Sequence, residues 1–338
     1  MNEKIDPDEK QDNQQPDAAE EPENKPANSF HSSKLPRGWL KERLNPPNKH
    51  LLSKTCVILN PSARSERARR RAEWLRAICG DAFVCATAKA GEAEELARGA
   101  VAEGFEQVVA AGGDGTIHEV VNGIAGSDVA LGLMPLGTVN VFAMELGLPA
   151  NDLGRCWEII RGQHTRSIDL PTANGKHFVQ LAGVGLDAQA VKETSAKLKR
   201  NFGPLSYLIS AAQVAARKPP RLLIEAEDGM TEEASFVLVG NGRLYGGPFP
   251  FFKHAVLDDG LLDVLVFKQI GYFELLKYLQ NVIFSSEITT RDVEYFQTRH
   301  LRVSSGEEVP VELDGELHGV CPVEFQVKPR RLRVLTPA

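Results

Sequence analysis

Two glycine-containing runs hold the residues best suited to chemistry in this sequence. The first is Gly112–Thr116, which reads Gly-Gly-Asp-Gly-Thr and follows the apolar segment Val108–Ala111. Glycines at a strand–helix turn allow positive φ and close approach by a ligand. The helix that follows such a turn presents free N–H groups and the positive end of its dipole to an anion. The run is therefore suited to cradling phosphate groups.

Asp114 is the unusual member of this run. Its carboxylate would repel bound phosphates unless a divalent cation or a hydroxyl donor lay between them. Thr116 and Glu119 have the spacing of a capping box, which predicts that Thr116 is the N-cap of the helix. The run matches neither the Walker A pattern nor the GxGxxG dinucleotide fingerprint. Taken alone, it is equally typical of a structural tight turn.

The second run, Pro135–Asn140, repeats this arrangement after the next apolar segment and reads Pro-Leu-Gly-Thr-Val-Asn. Open α/β sheets bind ligands in the crevice at the carboxyl ends of their strands. Two turns at the ends of neighbouring strands therefore favour a nucleotide site between them.

The elements around these runs predict a parallel sheet, because strands and helices alternate and such units cross over right-handedly. The predicted strands are Lys54–Leu59, Ala82–Thr87, Gln107–Ala111 and Val129–Met134, and the predicted helices are Ser65–Ile78, Gly91–Glu103, Thr116–Ile124 and about 139–146.

The pattern changes after about residue 168, where strands follow one another with few helices between them. This is typical of a mostly antiparallel β domain. The predicted strands are His177–Ala182, Arg221–Glu227, Ser235–Gly240, Leu262–Phe267, Val309–Leu313, Val323–Val327 and Arg331–Leu335.

Composition and charge exclude several classes of protein. The chain has 338 residues, of which 42% are hydrophobic and 25% charged, values ordinary for a globular protein. Residues 1–24 hold nine acidic and two basic residues, so their net charge is −7, whereas the formal net charge of the whole chain is −6. The rest of the chain sums to +1, and bulk charge gives no reason to expect a nucleic-acid partner.

Residues 1–50 are predicted to be a disordered acidic tail, because they are polar and rich in proline and cannot bury enough apolar surface. The N-terminus lacks the basic and apolar regions of a secretory signal. The five cysteines show no CxxC spacing, which favours reduced thiols in a cytoplasmic protein. Apolar stretches such as Tyr207–Ala216 are shorter than the ~20 residues that span a bilayer, so any membrane contact is expected to be peripheral.

Five motifs in order along the chain resemble the diacylglycerol kinase-type lipid kinases, a family that includes bacterial lipid kinases and sphingosine kinases. The motifs are Asn60-Pro61, Gly112–Thr116, Pro135–Ala143, Asn241–Gly247 with Leu257–Asp263, and Leu313–Glu316. Each motif is modest alone, but the five together run over most of the chain beyond the tail.

The resemblance implies a fold and a division of the chain. The fold is an α/β N-terminal domain with a parallel sheet, of the NAD kinase and diacylglycerol kinase type, plus an antiparallel β-sandwich-like second domain. The nucleotide-binding domain is expected at residues 51–168, completed by residues 321–338. The second domain is expected at residues 169–320, and ATP would lie between the two.

The resemblance also implies an activity, phosphoryl transfer from ATP to a hydroxyl of a diacylglycerol-like lipid, with Mg²⁺ as cofactor. The nucleotide site would consist of Asn60, Thr87, Gly112, Gly113, Asp114, Gly115, Thr116 and Thr138. The metal position falls at Asp259, with Val256 and Leu261 offering carbonyl oxygens, and hard oxygen ligands suit Mg²⁺. The metal there is either catalytic or structural.

The acceptor hydroxyl needs a carboxylate to take its proton, while Mg²⁺ spreads the charge of the phosphates. The family's general base falls in the Asp-Gly-Glu turn, at Asp314 or Glu316, with Glu316 preferred. Asp114 is expected to hold the catalytic Mg²⁺, directly or through water. His118, in the same helix, is interpreted as packed or hydrogen-bonded rather than catalytic.

Two positions depart from the family's usual pattern: Arg64 stands where the first motif usually has glycine, and Val141 where the third often has aspartate. Two alternatives therefore stay open, a related kinase acting on a soluble acceptor such as NAD and a nucleotide-binding protein without catalysis. The basic and apolar segment Lys192–Ala216 is either an interfacial helix or a core helix. The lipid would be met at the inner face of a membrane, and the oligomeric state, a homodimer included, is left open by the sequence.

Overall fold

The computed structural model describes residues 54–61, 73–80, 82–185, 219–268 and 292–338. The predicted tail, most of the predicted basic helix, Arg64 and the segment 192–216 lie outside the described residues. Within the described part, residues 73–78 are helical, in agreement with the C-terminal end of the helix predicted there.

The described strands are β1 Thr55–Leu59, β2 Phe83–Ala86, β3 Gln107–Gly112, β4 Ala130–Pro135, β5 Thr165–Ile168, β6 Thr172–Ala173, β7 Lys176–His177, β8 Leu181–Val184, β9 Leu222–Ala226, β10 Thr231–Ala234, β11 Phe236–Gly240, β12 Leu244–Tyr245, β13 Phe249–Pro250, β14 Leu262–Phe267, β15 Val293–Thr298, β16 His300–Ser305, β17 Pro310–Leu313, β18 Glu316–Val320, β19 Val323–Gln326 and β20 Leu332–Leu335. The helices with both ends described are α1 Glu92–Ala102, α2 Asp114–Ile124, α3 Val141–Glu145 and α4 Leu153–Gly162.

The first sheet has the strand order β2-β1-β3-β4-β20-β5 and is parallel except at β5, which runs antiparallel to β20. Strands β3 and β4 are buried at every residue, and this explains their unbroken apolar runs, because a parallel sheet is covered on both faces. One face packs on α1, α2 and α3, and the other on α4 and the helical residues 73–78. Both cores hold the carboxyl ends of the strands in place.

The remaining strands form two antiparallel sheets with orders β10-β9-β16-β19-β6-β7 and β15-β14-β11-β8-β17-β18. A shared core lies between them, with Val303 and Phe325 from one sheet and Val239, Val264 and Val311 from the other. Alternating inward side chains on two facing sheets define a β-sandwich. The predicted fold class, a parallel α/β part followed by an antiparallel β-sandwich-like part, is confirmed.

Some predicted elements differ in detail from the structure. The segment His177–Ala182 was expected to form one strand, but β7 ends at His177 and β8 begins at Leu181, with the chain bending between them. The last strand, β20, lies in the first sheet, whereas β19 lies in the sandwich. The division of the chain at residues 168 and 320 stays a prediction.

All five cysteines are free, and four of them are buried. Burial raises the pKa of Cys79 to about 12 and, with a smaller effect from the charge of Asp152, that of Cys156 to about 11. These thiols are therefore protonated and unreactive near neutral pH.

Candidate active site

A cavity of about 270 Å³ lies between the carboxyl edge of the first sheet and the β-sandwich. It is lined by Asp114, Gly115, Ile117, Val139, Val141, Phe142, Val179, Gln180, Leu181, Tyr245, Gly246, Glu312, Asp314, Gly315 and Glu316. The structure thus brings all three predicted catalytic residues, Asp114, Asp314 and Glu316, to one cavity.

The glycine-rich turn begins where β3 ends. Gly113, with an extended backbone, is the N-cap of α2, and the helix begins at Asp114. Thr116 was predicted to be the N-cap, but it lies inside the first turn, where its Oγ1 accepts a 2.9 Å hydrogen bond from Nδ2 of Asn60. Asn60 follows β1, so this bond joins the end of β1 to the first turn of the helix that follows β3.

The predicted capping box is therefore wrong, and Glu119 has another role. Its carboxylate accepts the N–H groups of Gly91 and Ala93, both at 2.9 Å, at the start of the neighbouring helix α1. The helix starts two residues earlier than expected because the double glycine supplies the extended residue that a helix start needs. Glu119 is then free to satisfy the first N–H groups of α1 instead.

The two glycine turns are in direct backbone contact. A Cβ atom built on Gly137 would lie 2.7 Å from Cα of Gly113, so a side chain there would force the turns apart. Asn140 closes the second turn in the left-handed conformation (φ 59°). Its side chain accepts the N–H of Gly137 at 2.9 Å and donates to the carbonyl of Gly137 at 3.0 Å.

Asp114 joins the first turn to the second. Its carboxylate accepts the N–H groups of Val141 (3.2 Å) and Phe142 (3.4 Å) at the start of α3. Burial raises the pKa of Asp114, the nearby charge of Asp314 adds to that increase, and the backbone N–H groups of α3 oppose it. A cation bound here would offset the cost of keeping this carboxylate ionised.

The Asp-Gly-Glu turn links β17 to β18 and places its two carboxylates in different surroundings. Asp314 has a left-handed backbone (φ 50°), and its side chain is 3% exposed. Its oxygens accept the N–H groups of Val179, Gln180 and Leu181 and contact His118. His118 is buried and hydrogen-bonded, as interpreted from the sequence.

Glu316 is exposed and begins β18. A Cβ atom built on Gly115 would collide with its carboxylate, so Glu316 lies directly over the first turn of α2. A side chain at position 115 would have to displace this carboxylate, because the carboxylate occupies the space beside Gly115. The two predicted ends of the site, Gly112–Thr116 and Glu316, are therefore in contact.

Asn60, Thr87 and Thr138 do not line the cavity. They follow β1, β2 and β4 at the same edge of the sheet, outside the turn that forms the cavity wall. Thr87 is buried and donates its N–H to the carbonyl of Leu59 at 2.9 Å, whereas Thr138 is exposed. Gly112, Gly113 and Thr116 also lie outside the cavity lining.

Asn60 and the turn after β3 flank the point where the strand order of the first sheet reverses, between β1 and β3. Open α/β sheets bind ligands at such a point.

The predicted metal residues lie elsewhere. Val256, Asp259 and Leu261 form the turn before β14, and none of them lines the cavity. Val256 and Asp259 are exposed, and Asp259 accepts the N–H of Leu261 at 2.9 Å. In the described parts of the chain, no three His, Cys, Asp or Glu side chains are grouped to hold a metal ion.

Sequence reasoning missed Glu145, which joins α3 to the sandwich. Its side chain is 3% exposed and accepts hydrogen bonds from Nε2 of Gln180 (3.0 Å), the N–H of Leu244 (2.9 Å) and Nε of Arg243 (3.1 Å). Gln180 lines the cavity and was also missed. No local pattern identifies either residue, because their partners are 35 to 99 residues away in the chain.

Within the described residues, no helix combines the length and the apolar composition that crossing a bilayer requires.

Comparisons with known proteins agree with this architecture. Residues 54–173 match the diacylglycerol kinase catalytic domain, and residues 180–336 match the YegS C-terminal NAD kinase beta sandwich-like domain. The diacylglycerol kinase of Bacillus subtilis is 31% identical over 256 residues, 75% of this chain and 84% of that protein. The diacylglycerol kinase of Staphylococcus haemolyticus is 32% identical over 289 residues, 83% and 87% of the two chains.

A crystal structure of a diacylglycerol kinase from Bacillus anthracis superposes with a TM-score of 0.70 at 26% identity and covers 84% of this chain and 97% of that one. The fold is thus that of a kinase with a parallel α/β sheet and a β-sandwich. The chain belongs to the diacylglycerol kinase family, which confirms the resemblance seen in its motifs. Membership supports a function of the lipid kinase type.

Proposed function

We propose that the protein transfers the γ-phosphoryl group of ATP to a hydroxyl of a diacylglycerol-like lipid, with Glu316 as general base and Mg²⁺ held at Asp114. One observation carries the proposal. The exposed carboxylate of Glu316 lies against Gly115, in the first turn of α2, and both line the cavity that Asp114 also lines. A proton acceptor and an anion-binding helix end therefore face the same space.

The phosphates of ATP are assigned to the outer side of the two glycine turns. The first turn of any helix leaves N–H groups without partners inside the helix, and α2, eleven residues long, adds the positive end of its dipole. Glycine at positions 113 and 137 lets the two turns approach each other closely. Asn60, Thr87 and Thr138, at the same sheet edge, complete the proposed nucleotide site.

The donor chemistry of Asp114 fits a hydrated Mg²⁺ ion. Mg²⁺ prefers carboxylate oxygens, keeps several waters, and is commonly bound by one or two carboxylates plus substrate phosphates. The Asp114 carboxylate accepts the N–H groups of Val141 and Phe142, and each carboxylate oxygen has two lone pairs. When bound, the cation would supply charge neutralisation for the transferring phosphoryl group.

Asp259, with the carbonyls of Val256 and Leu261, remains a proposed second cation site of suitable oxygen chemistry. Because none of the three residues lines the cavity, a cation held there would stabilise the turn rather than take part in the transfer.

The cavity itself is assigned to the acceptor. Its described lining contains four carboxylate side chains, from Asp114, Glu312, Asp314 and Glu316, and no Lys or Arg. An anionic acceptor such as NAD would be repelled there. The remaining lining is largely apolar, and Val141 adds to that wall where other members of the family often carry aspartate. A neutral hydroxyl with apolar carbons around it matches this chemistry.

Glu316 is preferred to Asp314 as the base because the Glu316 side chain is exposed, whereas the Asp314 side chain is buried and hydrogen-bonded. The Asp314 carboxylate is saturated by three backbone N–H groups and His118. In the proposed step, the acceptor hydroxyl passes its proton to Glu316, and the hydroxyl oxygen forms a bond to the γ-phosphorus. The bond from that phosphorus to the bridging oxygen of ADP breaks.

The five free thiols favour a reducing compartment, so we place the reaction in the cytoplasm, at a membrane surface that presents the lipid.

The test is an assay with γ-labelled ATP and Mg²⁺, using diacylglycerol in phospholipid vesicles, NAD, or no acceptor. We expect label only in the lipid, and label only in NAD would overturn the proposal. Asp114→Asn should abolish the transfer. Asp128→Asn changes an exposed carboxylate in the loop after α2 and is the matched control, expected to be as active as the wild type.

A further inference from the structure

The Asp314 carboxylate is held from two sides. From the sandwich, Oδ2 accepts the N–H of Val179 at 3.0 Å, and Oδ1 accepts those of Gln180 at 2.9 Å and Leu181 at 3.3 Å. From the α/β part, Nδ1 of His118 lies 3.0 Å from Oδ2. Because the side chain is only 3% exposed, these contacts rather than water hold the turn that carries Glu316.

His118 is well placed to make this contact. It lies one helical turn after Asp114 on α2, and its side chain is 6% exposed. Its other ring nitrogen, Nε2, is 3.5 Å from Nδ2 of Asn122, which is itself fixed by hydrogen bonds with both backbone groups of His177. A carboxylate only accepts hydrogen bonds, so Nδ1 of His118 carries the hydrogen.

The surroundings favour a charged ring. The titratable and charged groups that face it are Asp314 on the β17–β18 turn, Glu316 and His318 on β18, and Lys176 and His177 on β7. Burial lowers the pKa of His118, but the hydrogen bond to Asp314 and the charges of Asp314 and Glu316 outweigh burial and Lys176, and the net pKa is raised. Burial lowers the pKa of both His177 and His318, so of these three imidazoles His118 is the last to lose its charge as the pH rises.

The same helix therefore serves both ends of the site. Its first turn carries Asp114 and Gly115, and its second turn carries His118, which is bonded to the turn that carries Glu316. The bonds from Val179, Gln180 and Leu181 attach that turn to the sandwich alone. The imidazole attaches it to the helix that the nucleotide would contact.

We propose that His118 is a positioning residue, whose ring docks the Asp-Gly-Glu turn on α2 and so sets the distance between Glu316 and the phosphates. The inference rests on the proposed function. In the proposed reaction His118 touches neither the substrate nor the reacting atoms. Its contribution is greatest while the ring is charged, because a charge-assisted hydrogen bond is about twice as strong as a neutral one.

The test compares wild type with His118→Gln from about pH 6 to about pH 9. Because misplacing a catalytic group costs rate rather than affinity, kcat near pH 6 should fall on the order of tenfold with KM for ATP unchanged. The deficit should shrink toward about twofold as the pH rises, because the wild-type ring loses its charge only above its raised pKa. A deficit that stays constant across this range, or a kcat equal to wild type, would overturn the proposal.

Unfolding of the same proteins gives a second readout that needs no activity. A group with a raised pKa in the folded state stabilises most below its unfolded pKa, and this stability is lost as pH rises through the folded pKa. The melting-temperature difference between wild type and His118→Gln should therefore be larger near pH 6 than near pH 9. If wild type phosphorylates no lipid, the proposed function fails, but this difference still tests the link, and its absence at both pH values would overturn it.

His300→Gln is the matched control. His300 also contacts a carboxylate, that of Glu324, at 2.5 Å, but this pair is on the exposed surface of the sandwich and does not line the cavity. The His300→Gln variant should leave kcat at the wild-type value at every pH tested. A pH-dependent deficit in this variant equal to that of His118→Gln would show a general effect of removing a histidine and overturn the proposal.

Discussion

The two acidic turns of this protein, Asp258–Gly260 and Asp314–Glu316, look alike in sequence but differ in what surrounds them. In the first, Asp258 pairs with Arg166 at 2.8 Å, and the exposed Asp259 accepts an N–H from its own turn. In the second, the Asp314 side chain is buried under three N–H groups and an imidazole, and the carboxylate of Glu316 faces a cavity. Partners distant in sequence, rather than the local residues, separate a surface turn from a candidate catalytic one.

Glu316→Gln should give the largest effect, because it removes the cavity-facing carboxylate that distinguishes the second turn from the first. Without a carboxylate to accept the acceptor proton, kcat should fall by about 10²–10⁴-fold. The melting temperature should hardly change, because Glu316 is exposed. Initial rates at saturating ATP and lipid measure the first quantity, and thermal unfolding the second. Turnover at the wild-type level would remove Glu316 from its role as base.

Asp314→Asn separates the two carboxylates of the same turn. The amide leaves some donors from β8 and its preceding bend without an acceptor, and hydrogen bonds to a charged group contribute about 1.5–3 kcal/mol each. We expect a loss of about 2–3 kcal/mol in the free energy of unfolding, measured with denaturant, together with a lower kcat. If kcat collapsed while the free energy of unfolding stayed unchanged, Asp314 would be the base instead.

Gly115→Ala tests the contact between the turn and α2. The new Cβ would meet the Glu316 carboxylate, so the carboxylate must move, and kcat should fall on the order of tenfold. Gly162→Ala is the matched control, because its Cβ would meet only a ring carbon of His164, at an ordinary 3.6 Å. The control should keep full turnover, and equal losses in the two variants would argue against the contact.

Changes at the Asp258–Gly260 turn should have the smallest effects. The Arg166–Asp258 pair is partly exposed, with side chains 45% and 30% accessible, and Arg166→Met should lower the free energy of unfolding by about 0.2–1 kcal/mol. Turnover should stay at the wild-type value. Asp259→Asn should also keep full turnover and should lose any rise in melting temperature that Mg²⁺ gives the wild type relative to EDTA. A large loss of kcat in either variant would place this turn in the active site.

Much of the fold could be predicted because its signals are local. Unbroken apolar runs such as Val108–Ala111 are what a strand covered on both faces requires, and the glycine turns mark the strand ends where a ligand can bind. Strands β15 and β16, which lie in different sheets of the sandwich, were missed, because half-exposed strands carry a weaker pattern. The capping role of Glu119 was misassigned for a related reason. Its spacing from Thr116 suits a cap, but the N–H groups it satisfies belong to another helix.

By itself the sequence determined the order of elements, the position of the glycine turns at the carboxyl ends of β3 and β4, and the residue types that a phosphoryl transfer would need. These depend on side chains a few residues apart, which periodicity and turn preference record. Only the tertiary structure decided that Asp314 is buried and bonded while Glu316 faces the cavity, that Glu145 fastens α3 to the sandwich, and that His118 meets a carboxylate 196 residues away. Burial and hydrogen bonding between distant segments arise only when the sheets and helices pack together, so no short stretch of sequence carries that information.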